Sequence, residues 1–81
     1  MGIYEYAMLD TDERATLLWS AGVFLETFAT EQTTSKLYSL DNFFVEVVVD
    51  NKENKIIEVT PFARGARLAK YLNRVSLEQF L

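Results

Sequence analysis

Residues 36–62 read KLYSLDNFFVEVVVDNKENKIIEVTPF, and this segment predicts a β-meander. The strands are expected over residues 36–40, 43–50 and 56–62. Asp41 and Asn42, a pair that tolerates turn conformations, separate the first two strands, and a polar loop separates the last two. Pro61 has no N–H to donate, so the third strand either ends there or lies at an edge of the sheet.

The middle strand has one wholly apolar face and one mixed face, because successive side chains point to opposite sides. The apolar face holds Phe43, Val45, Val47 and Val49. The mixed face holds Phe44, Glu46, Val48 and Asp50. We therefore expect the odd-numbered residues to form the core. We expect Glu46 to be exposed, with a cross-strand cation opposite it.

The residues before the meander predict one helix and two further extended segments. Asp10 and Glu13 have the spacing of a capping box at the start of a helix over residues 11–21. Gly22 is expected to end that helix in a left-handed conformation. Alternation then predicts a strand over residues 23–30, and a short edge strand or extended arm over residues 3–8.

A second helix is expected from about Arg64 onward. Leu68, Leu72 and Val75 fall on one helical stripe there. The predicted fold is therefore α+β: an antiparallel β-meander of four to five strands, with an N-terminal and a C-terminal helix packed on it in two layers. The chain shows neither an internal repeat nor a linker, so residues 1–81 are expected to form one domain.

The pattern resembles a family of short uncharacterised bacterial proteins. The resemblance spans most of the chain and is carried by LLW-x-x-G-x-FL (residues 17–25), LY-x-L-x-x-FFVEV (residues 37–47), Asn54-Lys55-Ile56 and L-x-x-YL (residues 68–72). It implies a fold of this kind and an unknown function. It implies neither a catalytic nor a binding residue.

Composition narrows the possible functions. The chain has 81 residues and contains neither cysteine nor histidine. Disulfides are excluded, and zinc, haem and iron–sulfur sites would lack their usual ligands, so we expect no cofactor and no metal. No apolar run reaches the length of a membrane span, and the N-terminus has no secretory signal pattern. A cytoplasmic location without membrane contact is expected.

Charge is distributed unevenly along the chain. The net charge is −4, but residues 1–58 hold eleven acidic and four basic side chains, whereas residues 59–81 hold four basic and one acidic. The four basic residues, Arg64, Arg67, Lys70 and Arg74, lie on one flank of the predicted C-terminal helix. This flank is either a solvated border of the apolar stripe or a site for an acidic protein or an anion. Nucleic acid is the least favoured ligand, because this flank lacks aromatic residues that could stack on bases.

Other side chains that suggest chemistry have simpler interpretations. Glu46 among valines would suit a general acid or base if it were buried, but exposure is the preferred interpretation. Asp10, Asp12 and Glu13 resemble a cation cluster, yet helix capping accounts for them. The serines have no histidine to activate them, and no phosphate-binding glycine loop is present. We therefore expect the protein not to be an enzyme.

Self-association is the function that the sequence favours most. A core of this size supplies only about 3–5 kcal/mol unless it is reinforced, and association with a second copy is one remaining reinforcement. Phe44 and Val48 on the mixed face, together with Tyr4 and Tyr6, are the candidate interface residues, unless the chain's own helices cover both sheet faces. We expect a small non-enzymatic homodimeric or protein-binding module. Anion or nucleic-acid binding by the basic flank is the alternative.

Overall fold

The computed structural model describes residues 1–63, and the predicted C-terminal helix lies outside them. The described elements are α1 (Ile3–Ala7), α2 (Thr11–Ala21), β1 (Val23–Ala29), β2 (Thr33–Leu40), β3 (Phe43–Asp50) and β4 (Lys55–Phe62). The four strands form one antiparallel sheet in the order β1-β2-β3-β4. The α+β class and the antiparallel meander predicted from the sequence are confirmed.

Helix α2 begins where the capping box predicts. The Asp10 carboxylate accepts the N–H of Glu13 at 2.8 Å, and the Glu13 carboxylate accepts the N–H of Asp10 at 3.0 Å. These two bonds satisfy backbone donors that the first turn of a helix otherwise leaves unpaired. The capping interpretation and the predicted bounds of this helix are confirmed.

Gly22 ends α2 in a way that the sequence did not predict. Its φ of −78° and ψ of 153° are extended, so the predicted left-handed cap is wrong. Space, not backbone strain, favours glycine here. A Cβ atom at this position would lie 2.7 Å from both the carbonyl oxygen and a methyl carbon of Leu18. The missing side chain lets the chain pass directly over the last turn of α2 into β1.

The N-terminal residues form a helix, so the strand predicted over residues 3–8 is wrong. Helix α1 begins after Gly2, whose N–H donates to the Glu5 carboxylate at 3.1 Å. Ile3, Tyr6 and Leu9 recur every three residues and all contact the main core. That helical spacing outweighs the short alternation of the same segment, because it buries Tyr6 completely.

The strands match their predicted positions with small shifts. Strand β2 begins at Thr33, three residues before its predicted start. Two turn residues adopt positive φ, namely Asp41 at 52° between β2 and β3 and Asn54 at 57° before β4. Both residue types tolerate this region better than most side chains do, so the turn predicted at Asp41-Asn42 is confirmed.

Helices α1 and α2 pack on one side of the sheet, which we call the helix face. Tyr6 and Leu18 from the helices meet the sheet there. The buried sheet residues on this face are Leu40, Phe43, Val45, Val47 and Val59. The prediction that the odd-numbered residues of β3 face the core is confirmed.

Arg14 connects both helices to the sheet. Its guanidinium donates to the carbonyl oxygen of Val59 in β4 at 2.8 Å and to the carbonyl oxygen of Ala7 at the end of α1. The backbone oxygen of Arg14 accepts a bond from the Tyr6 hydroxyl at 2.7 Å. A single half-buried cation thus holds α1, α2 and β4 together through backbone carbonyls.

The opposite side of the sheet, which we call the second face, is also buried in part. Leu37 and Phe62 are buried there, with Phe28 and Phe44 packed against them. Glu46 lies on this face and is only 1% exposed. The predicted exposure of Glu46 is therefore wrong. Alternation placed the residue on the correct face, but that face is not a solvent face.

Candidate protein interface

A group of large apolar side chains is exposed where α2 runs into β1. The exposed fractions are 55% for Trp19, 59% for Val23, 53% for Phe24 and 46% for Leu25. We call these four residues the β1 patch. No member of it is charged. Val23 and Phe24 are neighbours in the strand and lie on opposite faces of the sheet, so the four side chains surround the edge formed by β1. Exposed apolar side chains grouped at an edge suit contact with another protein.

Aromatic contacts hold two members of the β1 patch in place. The Trp19 ring lies 5.7 Å from the ring of Tyr38, and the Phe24 ring lies 5.6 Å from it, both at steep interplanar angles. Tyr38 is half-buried between them, and its burial raises the pKa of its hydroxyl. Edge-to-face contacts of this kind fix the orientation of the two rings.

A β-bulge at Leu25 shapes the edge of the sheet. Phe24 pairs with Tyr38, and Glu26 pairs with Leu37, so β1 has one residue more than β2 between these two pairs. The extra residue reverses the alternation of β1. Phe24 consequently shares the helix face with Tyr38, whereas Glu26 shares the second face with Leu37. The period of the sequence alone gives no sign of this reversal.

The same edge has a feature that discourages pairing with a further strand. The Glu26 carboxylate accepts the N–H of Thr27 at 2.8 Å, so that backbone donor is already bonded within β1. A bulge together with a charged side chain over an edge amide opposes the addition of a strand. Contact through the side chains of the β1 patch is therefore favoured over extension of the sheet.

The interface residues predicted from the sequence do not lie together. Tyr4 on α1 is 84% exposed, whereas Tyr6 of the same helix is fully buried in the core. Phe44 and Val48 are half-buried on the second face. The structure therefore does not gather these four residues into one surface. The β1 patch was missed because its exposure depends on the bulge and on how α2 ends.

Glu46, the candidate acid or base of the sequence, does not converge with the nearby titratable groups Tyr38 and Asp41. Glu46 is on the second face, and Tyr38, which pairs with Val45, is on the helix face. Asp41 lies in the β2–β3 turn, and its carboxylate binds the N-terminal ammonium group at 2.8 Å. That contact raises the pKa of the amino group through a hydrogen bond and charge attraction. The predicted basic flank, residues 64–74, lies outside the described residues.

Residues 1–63 offer little for other kinds of site. They contain no group of three or more carboxylates placed to hold a metal ion. An open depression beside α2 is lined by Leu9, Asp12, Glu13, Thr16, Leu17 and Ser20. Its Glu13 carboxylate already caps the helix. Neither of the two described helices is long and apolar enough to cross a membrane.

The chain matches no protein-family model, no curated protein and no solved structure.

Proposed function

We propose that this protein is a small non-enzymatic cytoplasmic interaction module that forms a homodimer through the β1 patch. The observation that carries the proposal is the exposure of Trp19, Val23, Phe24 and Leu25 at one edge of the sheet. Burial of apolar surface contributes about 25 cal/mol per Å², and a standard interface buries about 800 Å² on each partner. The patch supplies the apolar centre of such an interface.

A second copy of the chain suits the β1 patch for reasons of charge. Residues 1–58 carry a net charge of −7, so two copies repel each other over most of that part of the chain. The patch has no charged member, and a two-fold contact centred on it places the same apolar side chains on both sides. The carboxylates then remain at the rim, where water solvates them.

The limited stability of so small a fold is a second reason to propose a homodimer. A chain of 81 residues without disulfides has a core that contributes only a few kcal/mol. Dimerisation through the β1 patch adds apolar burial without enlarging the chain. Because that contribution is apolar, the dimer should persist at high salt, whereas a contact between surface charges would weaken.

Light scattering over a concentration range, at low and high salt, tests the proposal with a matched pair of variants. Leu25 and Ile57 are exposed aliphatic residues that both lie at register shifts of edge strands, Leu25 in β1 and Ile57 in β4. Leu25→Lys should give the mass of one chain, because two buried ammonium groups would face each other. Ile57→Lys should keep the mass of two chains. A wild-type mass of one chain at high micromolar concentration would overturn the proposal, as would equal dimerisation of both variants.

A further inference from the structure

Three aromatic rings meet on the helix face beside the β1 edge. Tyr38 lies in the middle, with its ring centroid 5.7 Å from that of Trp19 and 5.6 Å from that of Phe24. The interplanar angles are 63° and 69°, so both neighbours are steeply inclined to the Tyr38 ring. We call these three residues the aromatic cluster. They come from α2, β1 and β2, so folding is needed to bring them together.

The aromatic cluster presents ring surface in a geometry that suits a cation. About half of the Trp19 side chain and about half of the Phe24 side chain are exposed. The face of an aromatic ring carries partial negative charge and attracts a cation within about 6 Å of the ring centroid. A cation placed in the angle between two such inclined rings lies within about 6 Å of both centroids. The cluster has two angles of this kind, one between Trp19 and Tyr38 and one between Tyr38 and Phe24.

The polar groups of the cluster select the kind of cation. The Phe24 side chain has no hydrogen-bonding group, the indole N–H of Trp19 only donates, and the Tyr38 hydroxyl is the one acceptor among the three side chains. A primary ammonium brings three N–H donors and a guanidinium brings five, and most of them would lose water here without gaining a partner. A quaternary ammonium group has no N–H, and its methyl groups pack against ring faces. The cluster therefore favours a quaternary ammonium over an unmodified lysine or arginine side chain.

The charge of the chain also favours a cationic ligand. Residues 1–58 carry a net charge of −7, and a negative potential raises the local concentration of cations. Arg14 is the only basic residue before Lys36 in the sequence. Its guanidinium binds the carbonyl oxygens of Val59 and Ala7. The positive charge of α2 is thus directed to backbone groups that are not part of the cluster.

We propose that the aromatic cluster binds a quaternary ammonium group, carried either by a free solute or by a trimethylated lysine of another protein. The site does not depend on the homodimer, because all three rings belong to one chain. Trp19 and Phe24 are also members of the β1 patch, so the ligand and a second copy of the chain compete for the same rings.

Fluorescence of Trp19 reports binding directly, because the chain contains one tryptophan. Choline chloride is titrated into the full chain at micromolar concentration. Sodium chloride at the same concentration is one control, and the other is the neutral alcohol of the same shape, in which carbon replaces the quaternary nitrogen. We expect a saturable change with choline and at least about tenfold weaker binding of the neutral alcohol. Equal affinity for both compounds would overturn the proposal, as would a choline response no larger than that of sodium chloride.

Removal of single rings tests whether the aromatic cluster is the site. We expect Phe24→Leu and Tyr38→Leu each to weaken choline binding about fivefold or more. Tyr4→Leu is the matched control, since it removes an 84% exposed ring from α1 and should leave the affinity unchanged. Phe24 is half exposed, so its variant should fold even if Tyr38→Leu does not, and urea unfolding verifies this. Unchanged affinity in a folded Phe24→Leu variant would overturn the assignment of the site.

Two further comparisons identify the source of the ligand and separate this site from the homodimer. Trimethyllysine and lysine, both blocked at their amino and carboxyl groups, are titrated alongside choline. Tighter binding of trimethyllysine than of choline assigns the ligand to a modified protein, the reverse assigns it to a free solute, and equal binding of trimethyllysine and lysine overturns the proposal. Light scattering at saturating choline should shift any dimer toward the mass of one chain. A dimer that choline leaves unchanged would overturn the shared use of the rings, whereas a chain that is monomeric throughout overturns only the homodimer.

Discussion

The two faces of the sheet bury side chains to a similar depth with different chemistry. On the helix face, Val45 and Val47 pack with Tyr6 and Leu18, and within residues 1–63 the buried carboxylate is that of Glu46, on the other face. On the second face, Glu46 is equally buried beside Leu37. The depth of burial alone therefore does not show whether a face is apolar throughout or also holds a charged group. A buried apolar side chain packs against any apolar neighbour of fitting shape, whereas a buried carboxylate needs a cation or hydrogen-bond donors.

Polar groups on the helix side have partners close by in the backbone. Arg14 donates to two carbonyl oxygens, and the Tyr6 hydroxyl donates to a third. Such bonds are fixed by the fold and do not depend on another charged side chain. One atom is an exception among the described residues, because the buried Nε of Arg14 has no hydrogen-bond partner.

The largest expected effect comes from matched truncations on the two faces. Leu18→Ala on the helix face and Leu37→Ala on the second face each remove a leucine that is at most 4% exposed. We expect each change to lower the free energy of unfolding by about 2–5 kcal/mol. Urea denaturation of both variants measures the difference. A cost below about 1 kcal/mol for Leu37→Ala alone would show that the second face is not covered in solution.

A smaller effect is expected from removing the cation on the helix side. Arg14→Met keeps most of the side-chain volume but removes the donors to Val59 and Ala7. We expect a loss of about 1.5–3 kcal/mol, because hydrogen bonds to charged groups are stronger than neutral ones. Lys36→Met, which removes an exposed cation from β2, is the control and should be nearly neutral. If both variants unfold at the same urea concentration, the hydrogen bonds of Arg14 to Val59 and Ala7 contribute nothing to stability.

The smallest expected effect is a dependence of folding stability on pH, which arises from Tyr6 on the helix face. Burial raises the pKa of Tyr6 from about 10 to about 12, although the positive charge of Arg14 opposes the shift. The unfolded chain therefore loses this proton at lower pH than the folded chain does, so stability falls as pH rises from about 10 through about 12. Tyr6→Phe should flatten that fall and cost about 1 kcal/mol at neutral pH, where the bond to Arg14 is lost.

Tyr38→Phe is the control for this titration, since burial also raises the pKa of Tyr38. Thermal unfolding between pH 9 and pH 12 compares the three proteins. Tyr6→Phe should change the slope more than Tyr38→Phe, because Tyr6 is fully buried. A wild-type slope that persists unchanged in Tyr6→Phe would assign the alkaline transition to other groups.

The sequence predicted the elements that depend on local chemistry. The capping pair Asp10 and Glu13 specified the start of α2, and the alternation of β3 specified its core face. The pair Asp41-Asn42 predicted a turn because both residue types tolerate turn conformations, and Asp41 adopts a positive φ there. In each case a few residues that are neighbours in sequence determine the local structure.

The wrong predictions concern features that depend on contacts with distant residues. Residues 3–8 fit both a strand and a helix, and the helix forms because Ile3, Tyr6 and Leu9 contact the main core, which the local pattern does not show. The sequence of β3 alone does not show that its even-numbered face is buried, so Glu46 is predicted to be exposed. The apolar residues Phe44 and Val48 on the same face are a partial indication of that burial. The bulge at Leu25, and with it the β1 patch, follows from pairing with β2 and has no local signature.

The connectivity of the sheet has a consequence for how the protein assembles during folding. Only Asp41 and Asn42 separate β2 from β3, so closing this central hairpin costs little chain entropy. Strands β1 and β4 then add at either side through short connections, and contacts that are local in sequence favour rapid folding. Folding should therefore begin at the centre and spread to both edges. The β1 patch is completed late, when a core already exists beneath it, which shortens the time during which incomplete chains expose it to premature aggregation.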